Sequence, residues 1–374
     1  MEYRKWDKVN LKTSLLGFGA MRLKTINGEI DEDKAFELFD YAYKNGVNYF
    51  DTAMPYTDGK NETFVGKALK RYKRDSFFLA TKLSFGMVKS RDDVLKLIDK
   101  QLETLQTDYI DMYLLHALNK ERISQIKEWN VLEIVEGWKK EGKIKNIGFS
   151  FHDDYDTFVE ILNMYEWDFC QIQLNYMDTN FQQGIKGYYD LEKRGIPVVV
   201  MEPIKGGKLA SFNRDIENIF KNYSDSSIAS WALRWVGSLR NVKVILSGMN
   251  EMDQLVDNLD TFKNFDILST EELEKIEQVK YALNNIIAVD CTDCRYCLPC
   301  SVGINIPGFF KILNDYKMYE NENNSLWQYN NLLSKSSDYK DCIDCGICME
   351  KCPQKIEIPK ELARMGEELK FLSK

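Results

Sequence analysis

Eight cysteines stand at regular spacings late in the chain. They read Cys291-x2-Cys294-x2-Cys297-x2-Cys300, then Cys342-x2-Cys345-x2-Cys348-x3-Cys352-Pro353. Thiolate sulfur is a ligand for zinc and for iron–sulfur clusters, so a set this regular points to a metal or redox group. Paired C-x2-C motifs make zinc sites, but zinc takes four ligands, usually from two separated pairs. Three cysteines at C-x2-C-x2-C wrap three corners of a cubane, and a distant cysteine followed by proline supplies the fourth. The spacing therefore favours iron–sulfur over zinc. The ninth cysteine, Cys170 in "WDFCQIQLNY", stands alone among apolar residues and reads as a small hydrophobe.

A second set of residues could move protons. Asp51 and Tyr56 lie in "FDTAMPY", Lys82 in "LATKL" and His116 in "YLLHA". A tyrosine with its ordinary pKa of about 10 is a poor acid at neutral pH. An ammonium beside it stabilises the phenolate and lowers that value. A carboxylate would hold the ammonium, and a histidine would orient a substrate oxygen by a hydrogen bond. Brought together, the four could pass a proton to a carbonyl oxygen. With a hydride donor opposite them, the outcome is carbonyl reduction or its reverse.

Such residues need a frame. The chain has 374 residues, enough for one large domain and a small one. Eight short apolar runs recur from about residue 11 to 260: "SLLGFG", "GVNYFDTA", "FFLATKL", "YIDMYLLHA", "IKNIGFSF", "DFCQIQLNY", "IPVVVME" and "VKVILSG". Between them lie helical patterns, among them 33–44, 92–105, 131–141, 155–165 and 226–236. Asp31 and Ser90 stand where caps belong, and Gly46, Gly142 and Gly195 where helices should stop. Strands alternating with helices predict parallel pairing, and eight units in this length predict an α/β fold, a (β/α)8 TIM barrel. The rival, a doubly wound sheet, usually carries G-x-G-x-x-G after its first strand, where this chain has "GFGAMRL". In a barrel, polar residues at the C-terminal strand ends face the active site. Asp51, Tyr56, Lys82, His116, Ser150 and Gln171 fall at or near such ends.

The net charge of −8 argues against a nucleic-acid or anionic-membrane surface. No apolar run is long enough for a membrane span, and "MEYRKWDKVN" does not read as a signal peptide. A cytoplasmic location is the expectation.

The first 260 residues or so resemble the aldo-keto reductases, beginning with "LGFGAMRL". "FDTAMPY" carries the family's Asp and Tyr, and the lysine of "LATKL" and histidine of "YLLHA" complete its tetrad. The resemblance implies Tyr56 as general acid, Lys82 as its pKa modulator, Asp51 as the lysine's partner and His116 as substrate orienter. It also implies a nicotinamide dinucleotide, NADP(H) or NAD(H), across the barrel mouth. The cofactor-binding positions would be Gly19, Ala20 and Met21; Ser150 and Gln171 at the carboxamide; and Met201, Pro203, Ile204, Gly206 and Gly207 around "MEPIKGG" at the pyrophosphate. Ser247, Gly248, Met249, Gln254 and Asn258 in "LSGMNEMDQLVDN" would lie on the adenosine side. Three residues depart from the family pattern. Phe151 replaces an Asn beside the carboxamide serine. Met201 replaces the aromatic that stacks on the nicotinamide. Gln254 replaces the arginine that grips the 2′-phosphate, leaving Lys243 or Lys208 as substitute cations.

In the tail, the spacing is similar to that of two-cluster ferredoxins, in which the last cysteine of each run ligates the other cluster. This assigns Cys291, Cys294, Cys297 and Cys352 to one 4Fe–4S cluster and Cys342, Cys345, Cys348 and Cys300 to a second. The first run ends in Cys-Ser with a two-residue gap, unlike the second. "PGFFKILNDYKMY" and "SLWQYNNLL" predict helices, so the tail resembles a small, mainly α-helical ferredoxin-like domain. The expected domains are a barrel over 1–283 and a two-cluster domain over 284–374. The whole resembles an iron–sulfur branch of the aldo-keto reductases.

A cubane carries one electron at a time and a nicotinamide moves two together. A flavin handles both and is a further candidate cofactor. The clusters could otherwise serve a ferredoxin or flavoprotein partner, or staple a tail with too small a core of its own. Two functions follow. One is an NAD(P)H-dependent oxidoreductase acting on an aldehyde or ketone, or in reverse. The other is an electron-transfer or redox-sensing protein whose barrel binds nucleotide without carbonyl turnover.

Overall fold

The computed structural model describes residues 1–286, 288–291 and 293–373. The chain divides into two compact units, residues 1–206 with 229–269, and residues 207–228 with 270–374. Each is described by itself.

All eight apolar runs form strands of one closed parallel barrel. They are β1 (Leu16–Gly19), β2 (Tyr49–Asp51), β3 (Phe78–Leu83), β4 (Ile110–Leu118), β5 (Ile144–Phe151), β6 (Phe169–Gln173), β7 (Val198–Met201) and β8 (Val242–Ser247). Parallel strands with both faces covered read as continuous apolar runs, which is why they stand out in the sequence. Inward residues such as Tyr49, Ala80, Met112, Leu114, Phe169 and Val244 fill the barrel. Outward residues pack on the helices.

Helix α1 (Glu32–Lys44) starts where Asp31 accepts from Lys34 N, and α3 (Arg91–Leu105) where Ser90 accepts from Asp93 N. Between them lies α2 (Asn61–Leu69), with the buried polar residues Asn61 and Glu62 in its first turn. An antiparallel hairpin, Tyr3–Trp6 with Leu11–Ser14, precedes the barrel. It carries Trp6, fully buried against Tyr49 and Phe169 at the strands' N-terminal ends. Its indole N–H donates to Thr13 Oγ1 at 2.8 Å.

The second unit is mainly α-helical. Helix Ile306–Tyr319 begins with Asn305 accepting from Gly308 N, and Glu322–Leu333 with Asn321 accepting from Asn324 N. With Ile358–Glu368 they bury Ile306, Phe309, Phe310, Leu313, Tyr329 and Leu362. The cysteine runs lie beside this core, mostly in irregular segments. Among the described residues, no helix of the chain is long and apolar enough to cross a membrane.

Candidate active site and cluster sites

Asp51 ends β2 and Lys82 is the penultimate residue of β3. Neighbouring parallel strands bring them together at the mouth. Lys82 Nζ lies 2.7 and 2.8 Å from the Asp51 carboxylate oxygens and 2.8 Å from Thr52 O. Those three acceptors match the three N–H groups of an ammonium. Lys82 also acts on Tyr56, by its charge first and by a side-chain hydrogen bond second, with Nζ 5.0 Å from the ring centroid. Burial works against the lysine's charge, but Asp51 and Tyr56 more than restore it, so its pKa stands above the ordinary value.

Tyr56 opens a short turn in which Thr57 and Asp58 both take positive φ, at 50° and 51°. Non-glycine residues pay conformational strain there, and such strain gathers at functional sites. The sequence predicts that Lys82 lowers the Tyr56 pKa. Lys82 does pull it down, but burial pulls it up by more, and the net direction is upward. The main cause is desolvation of the phenolate on burial, to which the Asp51 and Glu202 charges add.

His116 sits in β4 where the register with β5 slips, between Leu115 and Leu118. Such bulges re-aim a side chain. Its ring meets that of Tyr56 edge-on, with centroids 6.0 Å apart. Burial and the Lys82 charge push its pKa down to about 3, so it is neutral at working pH. The adjacent Ala117 takes φ 52°, and its N–H donates to Ser150 Oγ at 2.8 Å.

Ser150 and Gln171 are register partners on β5 and β6. Gln171 Nε2 lies 3.5 Å from Met201 Sδ, while its Oε1 is buried with no hydrogen-bond partner among the described residues. That orphan acceptor fits a ligand amide, since a buried acceptor without a donor is costly. Gly19 ends β1 and pairs in register with Asp51. Ala20 is buried, with its carbonyl accepting from Asn61 Nδ2, and Met21 is exposed. After β7, Pro203 is buried and Ile204 half-buried. Gly206 and Gly207 take φ 65° and 94°, which suits close backbone approach to a ligand.

The adenosine-side candidates are less alike. Asn258 Nδ2 donates to Ser247 Oγ at 2.9 Å, and both are buried. Gly248 is exposed, and the Met249 side chain lies in the core. Gln254 Oε1 accepts from Asn250 N at 3.0 Å, so it serves its own loop. Lys243 lies near the N-terminal end of β8, away from the mouth, and Lys208 pairs with Asp315 inside the second unit.

Other charged residues not singled out by the sequence do gather at the barrel loops. Arg22 pairs with Glu202 at 3.5 Å, and Lys24 and Lys34 both pair with Glu251. No spacing signal links residues so far apart in sequence.

In the second unit, the cysteines line two cavities. Cys291, Cys294, Cys297 and Cys352 share one with Ile306, Phe310 and Ile358. Cys300, Cys342, Cys345 and Cys348 share another, whose wall Cys297 also reaches. Among the described residues, no group of three or more Cys, His, Asp or Glu is placed to hold a single metal ion. Four thiols around an apolar cavity, rather than around a point, fit a cubane. Cys170 is fully buried in the barrel core, and burial pushes its thiol pKa well up.

Residues 15–280 match the aldo/keto reductase family and residues 290–357 a 4Fe-4S dicluster domain. L-galactose dehydrogenase of Arabidopsis thaliana is 25% identical over 309 residues, covering 76% of this chain and 96% of that protein. A probable voltage-gated potassium channel subunit beta of the same plant is 22% identical over 330 residues, covering 75% and 96%. The holo structure of aldo-keto reductase AKR11C1 from Bacillus halodurans superposes with a TM-score of 0.63 at 28% identity, covering 75% of this chain and 96% of that one. With its closed parallel barrel and two cysteine-lined cavities, the chain belongs to the aldo/keto reductase family, as an oxidoreductase that also carries a 4Fe-4S dicluster domain.

Proposed function

We propose that the chain reduces an aldehyde or ketone with NADPH or NADH, or runs the reverse oxidation, at Asp51, Tyr56, Lys82 and His116. The observation that carries this is the Lys82–Asp51 pair beside the Tyr56 ring, with His116 edge-on to the same ring. A nicotinamide bound at the mouth would supply the hydride. Ser150 and Gln171 would hold its carboxamide, Gln171 through the buried Oε1 that lacks a donor among the described residues. Gly19 to Met21 and Met201 to Gly207 would border the rest, with Ser247, Gly248 and the helix that follows on the adenosine side. Tyr56 would give its proton to the substrate oxygen. Its raised pKa keeps the proton in place until an oxygen gaining charge arrives to take it. Asp51 keeps Lys82 charged, and Lys82 then stabilises the phenolate left behind.

The eight cysteines would hold two 4Fe–4S clusters as the cavities divide them, and such clusters supply one-electron transfer. A flavin or a ferredoxin-type partner would couple that to hydride chemistry. The domains would run over 1–283 and 284–374.

The test is nucleotide oxidation by protein purified without oxygen, against a panel of aldehydes and ketones. Tyr56→Phe should abolish turnover and leave nucleotide binding intact. An electron-transfer protein with no carbonyl turnover would instead be indifferent to Tyr56→Phe and lose its output with a cluster cysteine.

A further inference from the structure

We propose that Ser84 is a positioning residue for His116, its hydroxyl donating to Nδ1 and so keeping the imidazole proton on Nε2. The inference rests on the reading of His116 as the residue that orients a carbonyl oxygen.

Ser84 follows β3 directly, one strand over from His116. Its Oγ lies 2.6 Å from His116 Nδ1. Distance alone does not say which atom donates, but the surroundings do. Ser84 is 5% exposed, and among the described residues its hydroxyl oxygen has no other hydrogen-bond partner. If Nδ1 carried the proton and donated it, the serine's own proton would be buried without an acceptor. The opposite direction satisfies both the serine proton and Nδ1. A neutral imidazole has one N–H, and the partner at one nitrogen decides which nitrogen carries it. His116 is neutral, because burial and the neighbouring Lys82 charge disfavour its protonation.

The other nitrogen is the one that matters for chemistry. Among the described residues, Nε2 makes no hydrogen bond to the protein. The ring is held from two sides, by Ser84 on Nδ1 and by the β4 bulge, where Ala117 N is tied to Ser150 Oγ. With its proton on Nε2, His116 can donate to the oxygen that receives the Tyr56 proton. With the proton on Nδ1, a lone pair would face that oxygen and repel it.

The experiment uses the full chain with its clusters, carrying nitrogen-15 in its histidines. There are only two, His116 and His152, so a His152→Gln variant assigns the signals. Long-range proton–nitrogen NMR spectra distinguish the two tautomers. The expected result is an Nε2–H tautomer for His116 in the wild type, and a mixed or reversed one in Ser84→Ala. The same variant should lose at least about tenfold in kcat, since a mis-aimed donor is lost at the transition state, with KM little changed. Ser84→Thr, which keeps the hydroxyl, should restore both readouts. An Nδ1–H tautomer in the wild type overturns the proposal. So does a Ser84→Ala spectrum that matches the wild type. If the wild type turns over no carbonyl, the reductase reading fails, while the spectra still decide the Ser84 pairing.

Discussion

Lys82 Nζ meets both carboxylate oxygens of Asp51 where almost nothing of either side chain touches solvent. Removing one partner of such a pair strands the other charge. Asp51→Asn should therefore cost about 3–5 kcal/mol of stability. Asp51→Asn with Lys82→Met should lose less than Asp51→Asn alone, because the stranded cation is gone. Denaturant unfolding of both variants measures this. A double variant that is less stable than the single one would show that Asp51 acts by something other than neutralising Lys82.

Gln171, in register with Ser150, buries its Oε1 without a donor among the described residues. A bound carboxamide N–H would satisfy it. Gln171→Leu should then raise the nucleotide Kd about five- to twentyfold, the worth of one hydrogen bond in a dry site. Turnover at saturating nucleotide should change much less. Fluorescence titration with NADPH and NADH reads the effect. An unchanged Kd for both would place the carboxamide elsewhere.

Cys352 lines one cavity with Cys291, Cys294 and Cys297, although its own run lines the other. Single variants Cys352→Ser and Cys291→Ser should each lower iron from about eight to about four per chain. Combining them should remove no more. Combining Cys352→Ser with Cys345→Ser should remove both clusters. If Cys352→Ser and Cys345→Ser together still leave one cluster, each run builds its own. Iron and sulfide assays on anaerobic protein decide between these patterns.

The barrel was legible because burial on both faces writes parallel strands as apolar runs, and caps such as Asp31 and Ser90 are local signals. The cysteine spacing was legible because ligands a few residues apart meet without help from the rest of the fold. The N-terminal hairpin was not, since its strands are short and mostly polar, and two of its fully buried residues, Thr13 and Ser14, are polar. Nor were pairings between distant residues, such as Ser84 with His116 or Glu251 with Lys24 and Lys34. Nor was the local bond in which Gln254 Oε1 accepts from Asn250 N. The upward shift of Tyr56 was also out of reach, because desolvation depends on walls that the sequence does not list.

One of those hidden pairings has a pH signature. Glu62, at the start of α2, is 2% exposed, and its Oε1 accepts from Thr81 Oγ1 and from Gln101 Nε2 at 2.8 Å. Gln101 also donates to the Lys82 carbonyl and accepts from the Tyr113 hydroxyl, so the network braces β3 from behind. Burial raises the Glu62 pKa, and the hydrogen bonds and Lys82 only partly oppose it. The folded chain thus holds this proton to a higher pH than the unfolded chain does. Stability linked to Glu62 is then full below the ordinary value of 4.5 and is lost as pH rises toward the folded value. Glu62→Gln offers the same acceptor oxygen with no proton to lose. The variant should match the wild type near pH 4.5, gain on it as pH rises through the folded pKa of Glu62, and hold that lead above it. Thermal unfolding across that range measures the difference. A variant that instead falls behind the wild type as pH rises would mean that Glu62 is ionised in the folded protein and that its charge helps to hold Lys82.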